Sequence, residues 1–147
     1  MKKRLLQMAM VLSCTLLLAA GAAAHCEIPC GIYDDEARIG MLLEHVATIE
    51  KSMNQITTIE KDKEHKANQL IRWVMNKEKH ATELQEIVTQ YFMTQRIKSD
   101  TKAYDKKLAL LHQMLVYAMK CKQTTDLANT AKLAGVIREF RQLYFAK

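Results

Sequence analysis

Beyond residue 34, apolar residues recur at steps of three and four. Ile39, Leu42, Val46, Ile49, Met53 and Ile56 make the first such stripe, the spacing that lines one face of an α-helix. Asp34-Asp35-Glu36 places acids just ahead of it, where a helix N-terminus favours negative charge. A first amphipathic helix of about six or seven turns is predicted. The run Lys61-Asp62-Lys63-Glu64-His65-Lys66 has no apolar period and reads as a solvated turn. A second stripe follows in Leu70, Val74, Ala81, Leu84, Ile87 or Val88, and Tyr91. Ser99-Asp100-Thr101 interrupts it and is placed to cap a third helix, with Leu108, Leu111, Leu115, Ala118 and Met119 on one side. Thr124-Thr125-Asp126 repeats the device before a fourth stripe of Leu127, Ala131, Ala134, Ile137, Phe140 or Arg141, and Tyr144.

Four helices of about 20 to 28 residues with short connections predict an all-α, antiparallel up-down-up-down bundle, because short loops make sequential helices neighbours. Composition agrees. The 147 residues are 49% hydrophobic and include one proline and four glycines, enough apolar matter for one domain. So little Gly and Pro excludes a β-sandwich, a Gly-rich nucleotide-binding fold and a disordered chain.

The first 24 residues stand apart. Met1-Lys2-Lys3-Arg4 is a basic start, the segment 5–20 is mostly apolar, and Ala22-Ala23-Ala24 fits the small-residue rule for signal peptidase. The expectation is a signal peptide over residues 1–24, cleaved to leave a domain over 25–147 in the periplasm or outside the cell, without a stable membrane anchor. Lys2, Lys3 and Arg4 account for three of the 22 basic residues, and none of the 16 acidic residues lies in this stretch, so the net charge of +6 becomes +3 after the cut. That small balance, with few aromatics and no basic stripe, excludes nucleic acid as a partner. It modestly favours approach of a small anion.

A bundle by itself carries no chemistry. The informative segment is His25-Cys26-Glu27-Ile28-Pro29-Cys30-Gly31-Ile32-Tyr33, because the expected cut makes His25 the N-terminal residue. Its free amine, the next backbone amide nitrogen once deprotonated, and the Cys26 thiolate close two fused five-membered chelate rings. Pro29 restricts the chain and Gly31 tolerates a turn, so Cys30 can return as a fourth donor, with the His25 imidazole left for an axial position. Two nitrogens and two thiolates in a plane suit Ni(II), whereas zinc prefers a tetrahedron of side chains. Anionic amide and thiolate donors also stabilise the higher oxidation state.

This segment resembles the nickel hook of the nickel superoxide dismutase family, whose pattern H-C-x-x-P-C-G-x-Y it matches at all six specified positions over residues 25–33. Gln90-Tyr91-Phe92 is similar to the family's D-Y-F segment on its second long helix. The resemblance implies a bundle over 34–147, a homohexamer, one nickel ion per subunit, and superoxide as substrate. His25 would supply amine and imidazole, Cys26 amide and thiolate, and Cys30 a second thiolate. Tyr33 and Tyr91 would position the substrate, while Glu27, Pro29, Gly31 and His80 would support the ligands. The implied reaction is ping-pong: one superoxide leaves as dioxygen, and a second, with two protons, leaves as hydrogen peroxide.

Two positions depart from the family. Where it has a Glu early in the first helix and an Arg on the second, the nearest residues here are Gly40 and either Asn76 or His80. Glu36 and Glu44, one turn either side of Gly40, are the candidate acids to orient His25.

Other readings stand beside this one. Cys26 and Cys30 in an exported protein can form a local disulfide, and an N-terminal His can serve a periplasmic copper or nickel carrier. Cys121 reads as a small buried hydrophobe. His45, His65, His80 and His112 make no H-x3-H pair, and Glu78 and Glu83 make no di-iron motif, which needs Glu-x-x-His on two helices.

Overall fold

In the computed structural model the described residues are Arg4, Gln7, Met8, Met10 and residues 34–146 apart from Lys63 and His65. The cut after residue 24 and the proposed ligands and neighbours His25, Cys26, Glu27, Pro29, Cys30, Gly31 and Tyr33 lie outside them. Among the described residues no strand occurs, and no helix is long and apolar enough to cross a membrane.

Among the described residues, four helical elements make the bundle. Helix α1 is Asp35–Glu60, α2 is Ala67–Glu86 and continues with wider winding over Ile87–Arg96, α3 is Tyr104–Gln123, and α4 is Leu127–Phe145. α1 packs on α2 and α4, and α3 packs on the same two, which closes the expected four-helix ring. The first stripe is read correctly throughout: Ile39, Leu42, Val46, Ile49, Met53 and Ile56 are all buried. Each such side chain contributes about 1.5–3 kcal/mol by leaving water.

Side-chain caps start two of the helices. Asp34 accepts hydrogen bonds from the Glu36 and Ala37 amides at 2.8 and 3.3 Å, and Asp126 accepts one from Ala128 at 2.9 Å, satisfying donors that have no partner within the helix. The third helix begins otherwise than expected. Ser99-Asp100-Thr101 precedes it, but Thr101 accepts from the Lys98 amide at 3.0 Å, and the cap position falls to Ala103 in the left-handed region at φ 56°. Thr101 therefore closes the turn before the helix, and its hydroxyl is spent there.

The second stripe holds only in its later half. Ala81, Leu84, Ile87, Val88 and Tyr91 are buried, but Val74 is exposed and Leu70 half-buried. The interior positions there belong to polar side chains instead. Asn76 donates to Ser52 Oγ at 2.9 Å, and buried Lys77 donates from Nζ to the carbonyls of Cys121 and Lys122 at the end of α3. A cation at a helix C-terminus meets the negative end of the helix dipole, while its alkyl stem fills apolar space. Hydrophobic periodicity is blind to that solution. In α3 and α4, likewise, Met119, Leu127 and Ala131 turn outward, and Leu110, Met114 and Leu133 take the core.

Candidate functional site

The chain enters α1 through Asp34 and Asp35, two neighbouring acids with different tasks. Asp34 caps the helix, which leaves Asp35 in the first turn to reach across the bundle. Its Oδ1 accepts the phenolic hydrogen of Tyr91, and its Oδ2 accepts that of Tyr144 at 2.8 Å. Arg96 joins the group from Nη2 to the Tyr91 oxygen at 2.8 Å and pairs through Nε with Asp35 Oδ1 at 2.9 Å. The helix N-terminus favours this carboxylate.

The wide winding of Ile87–Arg96 is what brings Tyr91 and Arg96 together. In an ordinary α-helix residues five apart point roughly 140° from one another. Here the ladder runs from i to i+5: the Ile97 amide reaches the Phe92 carbonyl at 2.9 Å, and the side chains of Thr94 and Gln95 reach the carbonyls of Thr89 and Gln90 at 2.7 and 2.9 Å. Such windings are rare and concentrate at functional sites. The Arg96 guanidinium carbon lies 4.8 Å from the Tyr91 ring centre, and that of Arg38 lies 5.2 Å from it, so two cations stand close to the ring.

Below this polar group lies an aromatic floor. Phe92 meets Phe140 and Tyr144 edge-on at 5.2 and 5.7 Å between ring centres, geometries that hold rings in place. Tyr91 itself is buried. Burial, and then the hydrogen bond to Asp35, raise its phenol above the ordinary value, and the same two causes raise that of Tyr144. The bond to Tyr91 raises the Arg96 guanidinium further, so it stays a cation. The arrangement therefore presents a protonated phenol, oriented by a carboxylate on one side and a guanidinium on the other.

Residues 20–147 match the family described as nickel-containing superoxide dismutase. The chain belongs to that family. Among curated proteins and among solved structures nothing matches it. Family membership makes the protein a nickel-dependent superoxide dismutase, an oxidoreductase whose cofactor is nickel and whose substrate is superoxide, and it leaves the carrier reading unfavoured.

Of the residues expected at the dismutase site, Tyr91 and His80 are described. Tyr91 stands in the Asp35 network, whereas His80, on α2, faces His45 of α1 with their Nδ1 atoms 2.9 Å apart. The two candidate acids have other neighbours: Glu36 pairs with Arg141 at 2.6 Å, and Glu44 acts electrostatically on His45. Gly40 is exposed, and a Cβ there would meet nothing within 4 Å, so packing does not require the glycine.

Asp35, Arg96 and Tyr144 did not stand out as site residues in the sequence. The doubled acid Asp34-Asp35 was a usable signal, since one residue suffices for the cap. Arg96 had none, because a 3.6-residue template separates it from Tyr91.

Proposed function

We propose that the dismutase works through a hook made of residues 25–33. Removal of residues 1–24 as an export signal frees the His25 amine. His25 would then hold nickel through amine and imidazole, Cys26 through its amide nitrogen and thiolate, and Cys30 through its thiolate, one ion per subunit in a homohexamer outside the cytoplasm. The observation that supports this most is the complete H-C-x-x-P-C-G-x-Y pattern at 25–33, inside the stretch that the family match spans. The donor set fits the group, because a planar set of nitrogen and thiolate donors suits nickel and disfavours zinc. Bound there, nickel supplies a one-electron couple that anionic donors bring within reach of superoxide.

The rest of the work falls to side chains. Tyr33 ends the motif, two residues before Asp35 in the chain. Tyr33 and the anchored Tyr91 are the residues assigned to position superoxide and to disfavour bulkier molecules. Tyr91 keeps its proton, held toward Asp35, and serves to orient substrate by hydrogen bonding through water. Arg38 and Arg96 place positive charge beside that phenol, which favours arrival of superoxide. Glu27, Pro29 and Gly31 shape the hook's turn.

The test is substitution at the hook. Cys26→Ser or Cys30→Ser is expected to abolish nickel-dependent superoxide removal while helical circular dichroism stays intact, and one Ala inserted before His25 in the mature chain should do the same by displacing the amine. Normal turnover in a serine variant would refute the thiolate assignment, and an active insertion variant would refute the amine.

A further inference from the structure

A second group of metal-ligating side chains lies between α1 and α2. His45 of α1 meets His80 of α2 with their Nδ1 atoms 2.9 Å apart. Glu83, one turn beyond His80 on the same face, brings Oε2 to 3.5 Å from His80 Nδ1 and 3.7 Å from His45 Nδ1. Two imidazole nitrogens and one carboxylate oxygen thus lie within 4.8 Å of one another. At those two distances the carboxylate is beyond good hydrogen-bond reach of either ring. Those two separations are near what a shared ion requires: with zinc bonds of about 2.0–2.2 Å, two ligands of a tetrahedron stand roughly 3.3–3.6 Å apart, and the two imidazoles, now hydrogen-bonded to each other, would part by a few tenths of an ångström to admit it.

We infer that His45, His80 and Glu83 form a second site, independent of the hook, for a divalent first-row transition cation of the zinc type. Two His and one Glu is a known ligand set for zinc, with a fourth position left for water. The side chains of His45, His80 and Glu83 are 13%, 25% and 36% exposed, so the ions have a path in from solvent and the imidazoles are sheltered. Burial, followed by the neighbouring His80, holds the His45 pKa below its ordinary value, which keeps its ring neutral and its lone pair available. The single carboxylate offsets one unit of the cation's charge. Because the ligands come from two helices, a bound ion ties α1 to α2 near the middle of the bundle and stabilises the folded chain by mass action. The role is that of a clamp. It involves no redox change, and it does not depend on how nickel is held.

The experiment is equilibrium dialysis of Zn(II) against two preparations of the full chain, one nickel-loaded and one carrying Cys26→Ser and Cys30→Ser, so that hook thiolates do not bind the probe. Both are expected to retain about one zinc per chain and to melt at a higher temperature with it. Glu83→Gln, a change at a partly exposed side chain that leaves the core intact, should weaken binding at least about tenfold, since loss even of an outer partner of a ligand costs that much. His45→Gln and His80→Gln should weaken it at least as far. Cobalt(II) in place of zinc should give the visible absorption of a tetrahedral ion, absent in Glu83→Gln. Retention of less than stoichiometric zinc in both preparations would overturn the inference, and so would zinc binding unchanged by Glu83→Gln, which would place the ion elsewhere.

Discussion

Helix α1 takes part in two polar groups ten residues apart, and they are built on opposite plans. At Asp35 each carboxylate oxygen has a phenol, and Arg96 binds both the carboxylate and one of those phenols. Around His45 the two imidazoles touch each other, while Glu83 stays at 3.5 and 3.7 Å. The first group is knit by direct hydrogen bonds and an ion pair and acts as a mount for Tyr91 beside the start of α1. The second brings three donor atoms within 4.8 Å of one another on two helices, an arrangement that can take up a ligand. Buried polar networks stabilise when every member is satisfied; a partly satisfied one is a place for an ion or a water to enter.

The largest expected effect comes from removing the centre of the Asp35 group. Asp35→Ala takes away the acceptor of two phenols and the partner of Arg96 in one step. Hydrogen bonds to a charged group contribute about 1.5–3 kcal/mol each, and the losses here overlap because the partners are shared. A net destabilisation of about 2–3 kcal/mol is expected in urea melts, with superoxide removal reduced in the nickel-loaded variant because Tyr91 is no longer held. A loss below about 0.5 kcal/mol would mean that the group is a surface ion pair in effect, and the contrast with the His45 group would fail.

How far these two groups were legible in the sequence depended on periodicity. The apolar stripe of α1 was readable in full, whereas buried Ser52 on the same helix, which accepts from Asn76, was not. The early half of α2 was not, because Asn76 and Lys77 face inward to partners on other helices, which one helix's pattern does not encode. Tyr91 was readable only through the resemblance of Gln90-Tyr91-Phe92 to the family's segment. Arg96 was hidden by the change from four- to five-residue winding, and Tyr144 looked like one more core position because its ring is apolar while its hydroxyl is not. His80 and Glu83 stand in the order His-x-x-Glu, with the third donor 35 residues earlier on another helix, a spacing that no linear motif describes.

An effect of intermediate size is expected at alkaline pH, and it belongs to the Asp35 group. The raised phenols of Tyr91 and Tyr144 mean that the folded chain binds these protons more tightly than the unfolded chain. That stability is complete below the ordinary tyrosine value of 10.0 and is lost as pH rises beyond it. Buried Cys121 adds an earlier contribution: burial pushes its thiol from 9.0 up to about 11, so its share fades over that interval. The melting temperature should therefore be level between about pH 7 and 9 and fall by several degrees above that. Cys121→Ala should flatten the onset, and Tyr144→Phe the portion beyond pH 10. An alkaline limb identical in Tyr144→Phe and the parent protein would remove that phenol from the account.

The smallest effect is expected at Gly40, which lies on α1 midway between Asp35 and His45. A glycine inside a helix costs roughly 0.5–1 kcal/mol relative to alanine, because the unfolded chain is freer. An added Cβ here meets nothing within 4 Å, so no packing loss offsets the gain, and Gly40→Ala should stabilise the protein by about 0.5–1 kcal/mol. The same variant asks whether the two groups are independent. If each is fixed by its own cross-helix partners, a stiffer α1 between them leaves both zinc affinity and superoxide turnover as they were. A change in either, with stability raised as expected, would mean that flexure of α1 at Gly40 couples the mount at Asp35 to the donors around His45, and the two plans would have to be read as one.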